Sequence, residues 1–149
     1  MKCLVADESS LMRRIMIRAL ATLEHRDVIE VTDGVEALQH CDQSVGLVIT
    51  DWTMPTMSGV EMVRHLRANP ATASVPVIMV SSRNLRESVA EAVEAGVNAY
   101  LLKPVSAETL RNKIEQILRA RGAANGAGAN PAEAVEAEAD DEGEVRKAA

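Results

Sequence analysis

The sequence predicts an open α/β fold, with five parallel strands and helices on both faces of the sheet. Three observations lead there. Five short apolar runs alternate with five stretches of helical periodicity, which implies crossover connections and a parallel sheet. The third run, residues 47–50, is apolar until Thr50, as a strand covered on both faces must be. Four of the five runs end on chemically capable residues: Asp7 with Glu8, then Asp51, Ser81 and Lys103. In an open parallel sheet those carboxyl ends converge on one rim, where ligands bind.

The elements follow in order. Lys2–Ala6 reads as the first strand. Residues 10–23 read as a helix, with Leu11, Met12, Ile15, Met16, Ala19, Leu20 and Leu23 at helical spacing on one face. Residues 28–31 are a shorter second strand. Asp33-Gly34-Val35-Glu36 has the form of a capping box and opens a short helix to about His40. Residues 47–50 are the third strand, followed by a loop over 51–57. Ser58-Gly59-Val60-Glu61 is a second capping box, for a helix to about Ala68 that Asn69-Pro70 ends. Residues 77–80 are the fourth strand. Asn84-Leu85-Arg86-Glu87 reads as a third box; its helix should turn Leu85, Val89, Ala92 and Val93 inward and end at Gly96. Ala99–Leu102 is the fifth strand, and residues 107–121 are the last helix, with a stripe of Leu110, Ile114, Ile117 and Leu118. The expected winding is flavodoxin-like, (βα)5, in strand order 2-1-3-4-5. That order sets the first and third strands side by side, so Asp7, Glu8 and Asp51 become neighbours.

Composition bounds the rest. The chain has 149 residues and is 47% apolar, with no Phe, one Trp and one Tyr, so the core must be aliphatic. Net charge is −6. From Gly122 onward seven acids face two bases, which leaves residues 1–121 near neutral. The expected organisation is therefore one domain over 1–121 and an acidic, Ala/Glu-rich disordered tail over 122–149, too polar to bury a core. No basic footprint for nucleic acid is apparent. Cys3 and Cys41 have no metal-ligand spacing and read as reduced thiols. No apolar stretch approaches the ~20 residues of a membrane span, and the first strand begins at Lys2, so a cytoplasmic protein is expected. His25, His40 and His65 do not cluster and read as surface residues.

Asp7, Glu8 and Asp51 form a hard-oxygen cluster. Three like charges repel unless a cation joins them. Mg2+ suits such a site, since it takes carboxylate oxygens, keeps waters and shares its shell with phosphate. Lys103 adds a point cation that can pair with Asp51 or with phosphoryl oxygens. Pro104 fixes a tight turn behind it and can take a cis peptide. Ser81 offers a hydroxyl donor.

These stretches resemble a response-regulator receiver domain, of the single-domain CheY-like kind. The resemblance is carried by Leu4-Val5-Ala6-Asp7-Glu8-Ser9, Asp51-Trp52-Thr53-Met54-Pro55-Thr56-Met57-Ser58-Gly59, Pro76-Val77-Ile78-Met79-Val80-Ser81-Ser82 and Ala99-Tyr100-Leu101-Leu102-Lys103-Pro104, and spans residues 1 to about 121. It implies roles residue by residue. Asp51 is the phosphoacceptor. Asp7, Glu8, Asp51 and the main-chain carbonyl of Thr53 hold Mg2+. Ser81 follows the phosphoryl group, Lys103 is its counter-ion, and Tyr100 is an aromatic switch. Glu8 stands where the family usually has the shorter Asp, and Thr53 and Arg83 occupy positions that tune the lifetime of the phosphorylated state.

The resemblance also implies a two-component response regulator that is not an enzyme. It accepts a phosphoryl group from a sensor histidine kinase or histidine phosphotransfer protein and promotes its own Mg-dependent phosphorylation and dephosphorylation. It docks onto a downstream target, of chemotaxis type, through the face of the fourth helix, fifth strand and fifth helix, as a monomer or transient dimer. A phosphorelay shuttle, or a degenerate receiver that only binds partners, are the alternatives. A phosphatase using Asp51 would want an Asp where Thr53 stands. A flavin-phosphate site would want a hydroxyl- and Gly-rich first loop, where this chain has Asp7-Glu8-Ser9.

Overall fold

The computed structural model describes residues 1–123 and 137–139. Their order is β1 (Lys2–Ala6), α1 (Ser10–Thr22), β2 (Asp27–Val31), α2 (Gly34–His40), β3 (Val45–Thr50), α3 (Gly59–Ala68), β4 (Val77–Ser81), α4 (Arg86–Ala95), β5 (Ala99–Leu102), α5 (Ala107–Ala123) and β6 (Ala137–Ala139). The sheet runs β2-β1-β3-β4-β5-β6, and every pairing is parallel. The five expected strands hold the 2-1-3-4-5 order. The added strand comes from the acidic segment: Ala137–Ala139 pairs with Tyr100–Leu102 on the far edge of β5. The rest of the expected disordered tail, residues 124–136 and 140–149, lies outside the described residues.

Strand alternation divides the core in two. Leu4, Ala6, Val48, Met79, Tyr100 and Leu102 face α2, α3 and α4, where Val60, Met62, Val63, Leu66, Val89 and Ala92 cover them. Cys3, Val5, Leu47, Ile49, Ile78, Val80 and Leu101 face α1 and α5, against Met16, Leu20, Leu110, Ile114 and Ile117. The aliphatic core expected from composition is what packs. Both thiols are free and buried, and burial pushes each up to about 11.

Two of the three expected N-caps form. Asp33 accepts from Glu36 N at 2.7 Å, and Ser58 accepts from Glu61 N at 3.1 Å. The third does not. Helix α4 starts one residue later than a box on Asn84 requires: Leu85 is its N-cap, in extended conformation and without a side-chain cap bond. Leu85 therefore precedes the inward face of α4 and is 63% exposed, not buried as expected. Leu11 is likewise exposed, because the face of α1 that packs on the core runs through Met12, Met16, Ala19, Leu20 and Leu23, and Leu11 lies beside it. Gly96 ends α4 in the left-handed region, at φ 113°.

Arg67, near the end of α3, carries a tie that residue patterning does not reveal. Its Nε and Nη2 donate to Gly96 O at 3.1 and 2.8 Å, Nη2 donates to Asn98 Oδ1 at 3.1 Å, and Nη1 donates to Ala73 O at 3.0 Å. Asn98 Oδ1 also accepts from Val77 N at 2.8 Å. One guanidinium thus joins the end of α3 to the start of β4 and the turn before β5. Burial, followed by repulsion from Arg121, lowers its pKa to about 10. Arg67→Ala is expected to strand these carbonyls and to cost about 2–3 kcal/mol, read as a lower urea midpoint in equilibrium unfolding.

Candidate functional site

The strand ends meet because main-chain hydrogen bonds continue past the ladders. Asp7 N donates to Val31 O, Asp51 N donates to Ala6 O at 2.9 Å, and Lys103 N donates to Ser81 O at 2.9 Å. The result is a rim on which Asp7, Asp51 and Lys103 converge. Lys103 Nζ lies 3.2 Å from Asp7 Oδ2 and 3.2 Å from Asp51 Oδ2. The other carboxylate oxygens are held by the backbone: Asp7 Oδ1 accepts from Ser9 N at 2.8 Å, and Asp51 Oδ1 accepts from Trp52 N at 2.7 Å. Asp7 is 1% exposed and Asp51 13%. The Lys103–Pro104 peptide is cis.

The loop after Asp51 folds back on it. Gly59 N donates to Trp52 O at 2.6 Å. A Cβ on Gly59 would sit 1.9 Å from the carbonyl oxygen of Asp51, so this close approach demands glycine. That contact is the physical content of the Gly at the end of the 51–59 motif. Thr56 adopts φ 70°, a conformation a β-branched residue rarely takes.

Glu8 stands apart. It is exposed, and its main-chain carbonyl accepts from Arg13 Nη1 at 3.2 Å. Arg13 Nη1 also binds Asp7 O at 2.7 Å, and its Nε pairs with Glu30 at 3.0 Å. Arg13 thus holds the β1–α1 turn in place, a role with no motif to announce it. Among the described residues, no three His, Cys, Asp or Glu side chains are disposed to hold a metal together. The geometry therefore gathers Asp7, Asp51 and Lys103 and leaves Glu8 in solvent. Thr53 lies in the exposed part of the loop.

Ser81 and Tyr100 belong to a second group beside the first. Ser81 is buried, and its Oγ accepts from Arg83 N at 3.0 Å. Tyr100 is fully buried, with its hydroxyl donating to Arg83 O at 2.9 Å. Burial raises the Tyr100 pKa, partly offset by hydrogen bonding to Ser81. Trp52 is also buried; it meets Tyr100 edge to face, with ring centroids 6.4 Å apart. The guanidinium of Arg83 lies over the Trp52 ring, 4.5 Å from its centroid.

Comparison with known proteins agrees with this geometry. The family model of the response regulator receiver domain matches residues 3–115. This chain belongs to the response regulator receiver family. It is 43% identical over 131 residues to the chemotaxis protein CheY homolog of Campylobacter jejuni, covering 87% of this chain and 98% of that protein. It is 40% identical to chemotaxis protein CheY1 of Helicobacter pylori, covering 79% and 97%. Among solved structures it resembles the chemotaxis response regulator CheY4 of Vibrio cholerae, at 28% identity and a TM-score of 0.70, covering 78% and 97%. Receiver domains generally bind Mg2+ at their acidic pocket. Among the described residues, no helix is long and apolar enough to cross a membrane.

Two outcomes are expected at this site. Gly59→Ala should cost about 2 kcal/mol through overpacking against backbone that cannot move aside, read by chemical denaturation. The second concerns charge. Burial raises the Asp51 carboxyl above its ordinary value; Lys103 opposes this and Asp7 adds to it. A raised folded pKa means that the folded chain holds the proton more tightly than the unfolded chain. The stability it supplies is present at low pH and is lost as pH rises through the folded value. Ionised Asp51 therefore weakens the fold at neutral pH. Asp51→Asn should raise Tm at pH 7.5, and the gain should vanish as pH falls to the ordinary carboxylate value and below.

Proposed function

We propose that this receiver domain accepts a phosphoryl group on Asp51 from a histidine kinase or histidine phosphotransfer protein. We further propose that it signals, in a chemotaxis-type pathway, by docking onto a target protein. The observation that carries this is the single ammonium of Lys103, 3.2 Å from both Asp7 and Asp51. A buried and a partly buried carboxylate share one cation, so the pocket is short of positive charge.

In the transfer, one Asp51 carboxylate oxygen attacks phosphorus and forms the new P–O bond. The bond to the donor histidine nitrogen, or to the acetate oxygen of acetyl phosphate, breaks with its electron pair leaving on the donor. Lys103 moves its charge from the carboxylates to the phosphoryl oxygens, and Ser81 donates its hydroxyl to one of them. Such transfers depend on positioning and charge neutralisation. Water later cleaves the acyl phosphate and restores the carboxylate. Asp7 and Asp51 would supply the hard oxygens that hold Mg2+, with Thr53 O and Glu8 as the further ligands the family resemblance implies. When bound, the metal neutralises developing charge on the phosphoryl group. This is phosphoacceptor chemistry on the domain's own side chain rather than turnover of a released substrate.

The proposed output is a change at the face of α4, β5 and α5, with Ser81 and Tyr100 as the moving parts. Residues 137–139 already pair with the edge of β5, which favours a target that docks on the helical surfaces over one that adds a strand.

Acetyl phosphate with Mg2+, followed by intact mass, tests the proposal. Wild type should gain one phosphoryl group and Asp51→Asn none. Asp7→Asn should cut the rate at least tenfold and abolish the response of Trp52 fluorescence to Mg2+. An adduct of equal yield on Asp51→Asn would end the proposal.

A further inference from the structure

Arg83 is exposed on the β4–α4 turn, yet three parts of it are engaged at once. Its N–H donates to Ser81 Oγ at 3.0 Å, its carbonyl accepts from the Tyr100 hydroxyl at 2.9 Å, and its guanidinium covers the Trp52 ring at 4.5 Å. Trp52 in turn meets the edge of Tyr100. Three residues close a ring, Arg83 to Trp52 to Tyr100 and back to Arg83, and Ser81 joins it through the Arg83 N–H. The side chains of Asp7 and Lys103 take no part in it. Cation–aromatic attraction is strongest with the indole of Trp. Here it fixes the side chain of the same residue whose carbonyl receives Tyr100.

We propose that Arg83 is a positioning residue for the aromatic switch: its stacking on Trp52 holds the β4–α4 turn so that the Arg83 carbonyl keeps Tyr100 turned inward. The consequence is a bias on the switch that comes from outside the acidic cluster. A chain with nothing on Asp51 would hold Tyr100 inward more often than one lacking the stack. This rests on Tyr100 acting as the switch, but not on phosphorylation of Asp51. An exposed cation over an aromatic ring shifts an equilibrium roughly two- to fivefold, large enough to alter basal docking and too small to lock the turn.

The chain has one Tyr and one Trp, so each ring can be followed alone. The experiment uses the full-length chain without phosphoryl donor, with 3-fluorotyrosine in place of Tyr100. The variants are Arg83→Met, which keeps the stem and removes the charge, and Arg83→Lys, which keeps a cation. Wild type and Arg83→Lys should give a buried 19F resonance. Arg83→Met should shift it toward the exposed position, raise acetylation of Tyr100 by N-acetylimidazole roughly two- to fivefold, and increase iodide quenching of Trp52. Equal 19F positions and equal labelling in all three would overturn the proposal, as would Arg83→Lys behaving like Arg83→Met. Circular dichroism should stay at the wild-type spectrum, and the thermal midpoint of Arg83→Met should fall by no more than roughly a few °C, the loss of one exposed stack. Should Asp51 fail to accept a phosphoryl group, these outcomes stand unchanged, so the two failures are distinguishable.

Discussion

Two carboxylates held against one ammonium govern the architecture of the rim. Asp7 and Asp51 repel each other, and burial strengthens that repulsion. Lys103 relieves it at 3.2 Å from each. The three residues come from β1, β3 and β5, so the contact exists only if strands far apart in sequence end at the same level. The main-chain bonds from Asp7 to Val31, from Asp51 to Ala6 and from Lys103 to Ser81 set that level. The site is thus a product of register more than of local sequence. The balance is also incomplete, since one cation faces two anions, and burial leaves Asp51 with a raised pKa. A site tuned only for stability would have filled that deficit; the proposed phosphoryl and cation chemistry would use it.

A second constraint keeps Asp51 in place from below. The loop from Asp51 to Gly59 returns so closely that Gly59 meets the carbonyl of Asp51 with no space for a side chain. Trp52 is pulled into the core by this return, since Gly59 N binds its carbonyl. Buried there, the indole touches Tyr100 on one side and carries Arg83 on another. The rim that would receive the phosphoryl group and the ring of Arg83, Trp52 and Tyr100 are therefore adjacent layers joined through residues 51 and 52. A shift in either has a short mechanical route to the other.

Much of the fold was legible because its signals are local. Apolar runs with polar ends located the strands, and 3.6-residue periodicity located the helices. Asp33 and Ser58 cap as their spacing suggested. The misplacements were also local. Leu85 and Leu11 fit a helical stripe by spacing, yet Leu85 sits before the first turn of α4 and Leu11 lies beside an α1 stripe that begins at Met12. Glu8 was grouped with Asp7 by adjacency, but consecutive residues at a strand end point apart, and only Asp7 turns inward. Arg13 and Arg67 gave no signal, and Arg83 only the position that the family resemblance marks. Their work is done on carbonyl oxygens and a ring 5 to 31 residues away or at the far side of a turn, and a lone arginine reads the same in any of these settings.

The sequence by itself determined the class of fold, the order of its elements and the candidate chemistry, because hydrophobic period, caps and strand-end residues act over a few positions. Tertiary structure alone decided which of those candidates meet. Whether Asp7 or Glu8 faces Asp51, whether Lys103 reaches both carboxylates, and which ring an exposed Arg83 covers all depend on strand register and loop return. Those are long-range properties, set by packing between segments that carry no record of one another in their spacing.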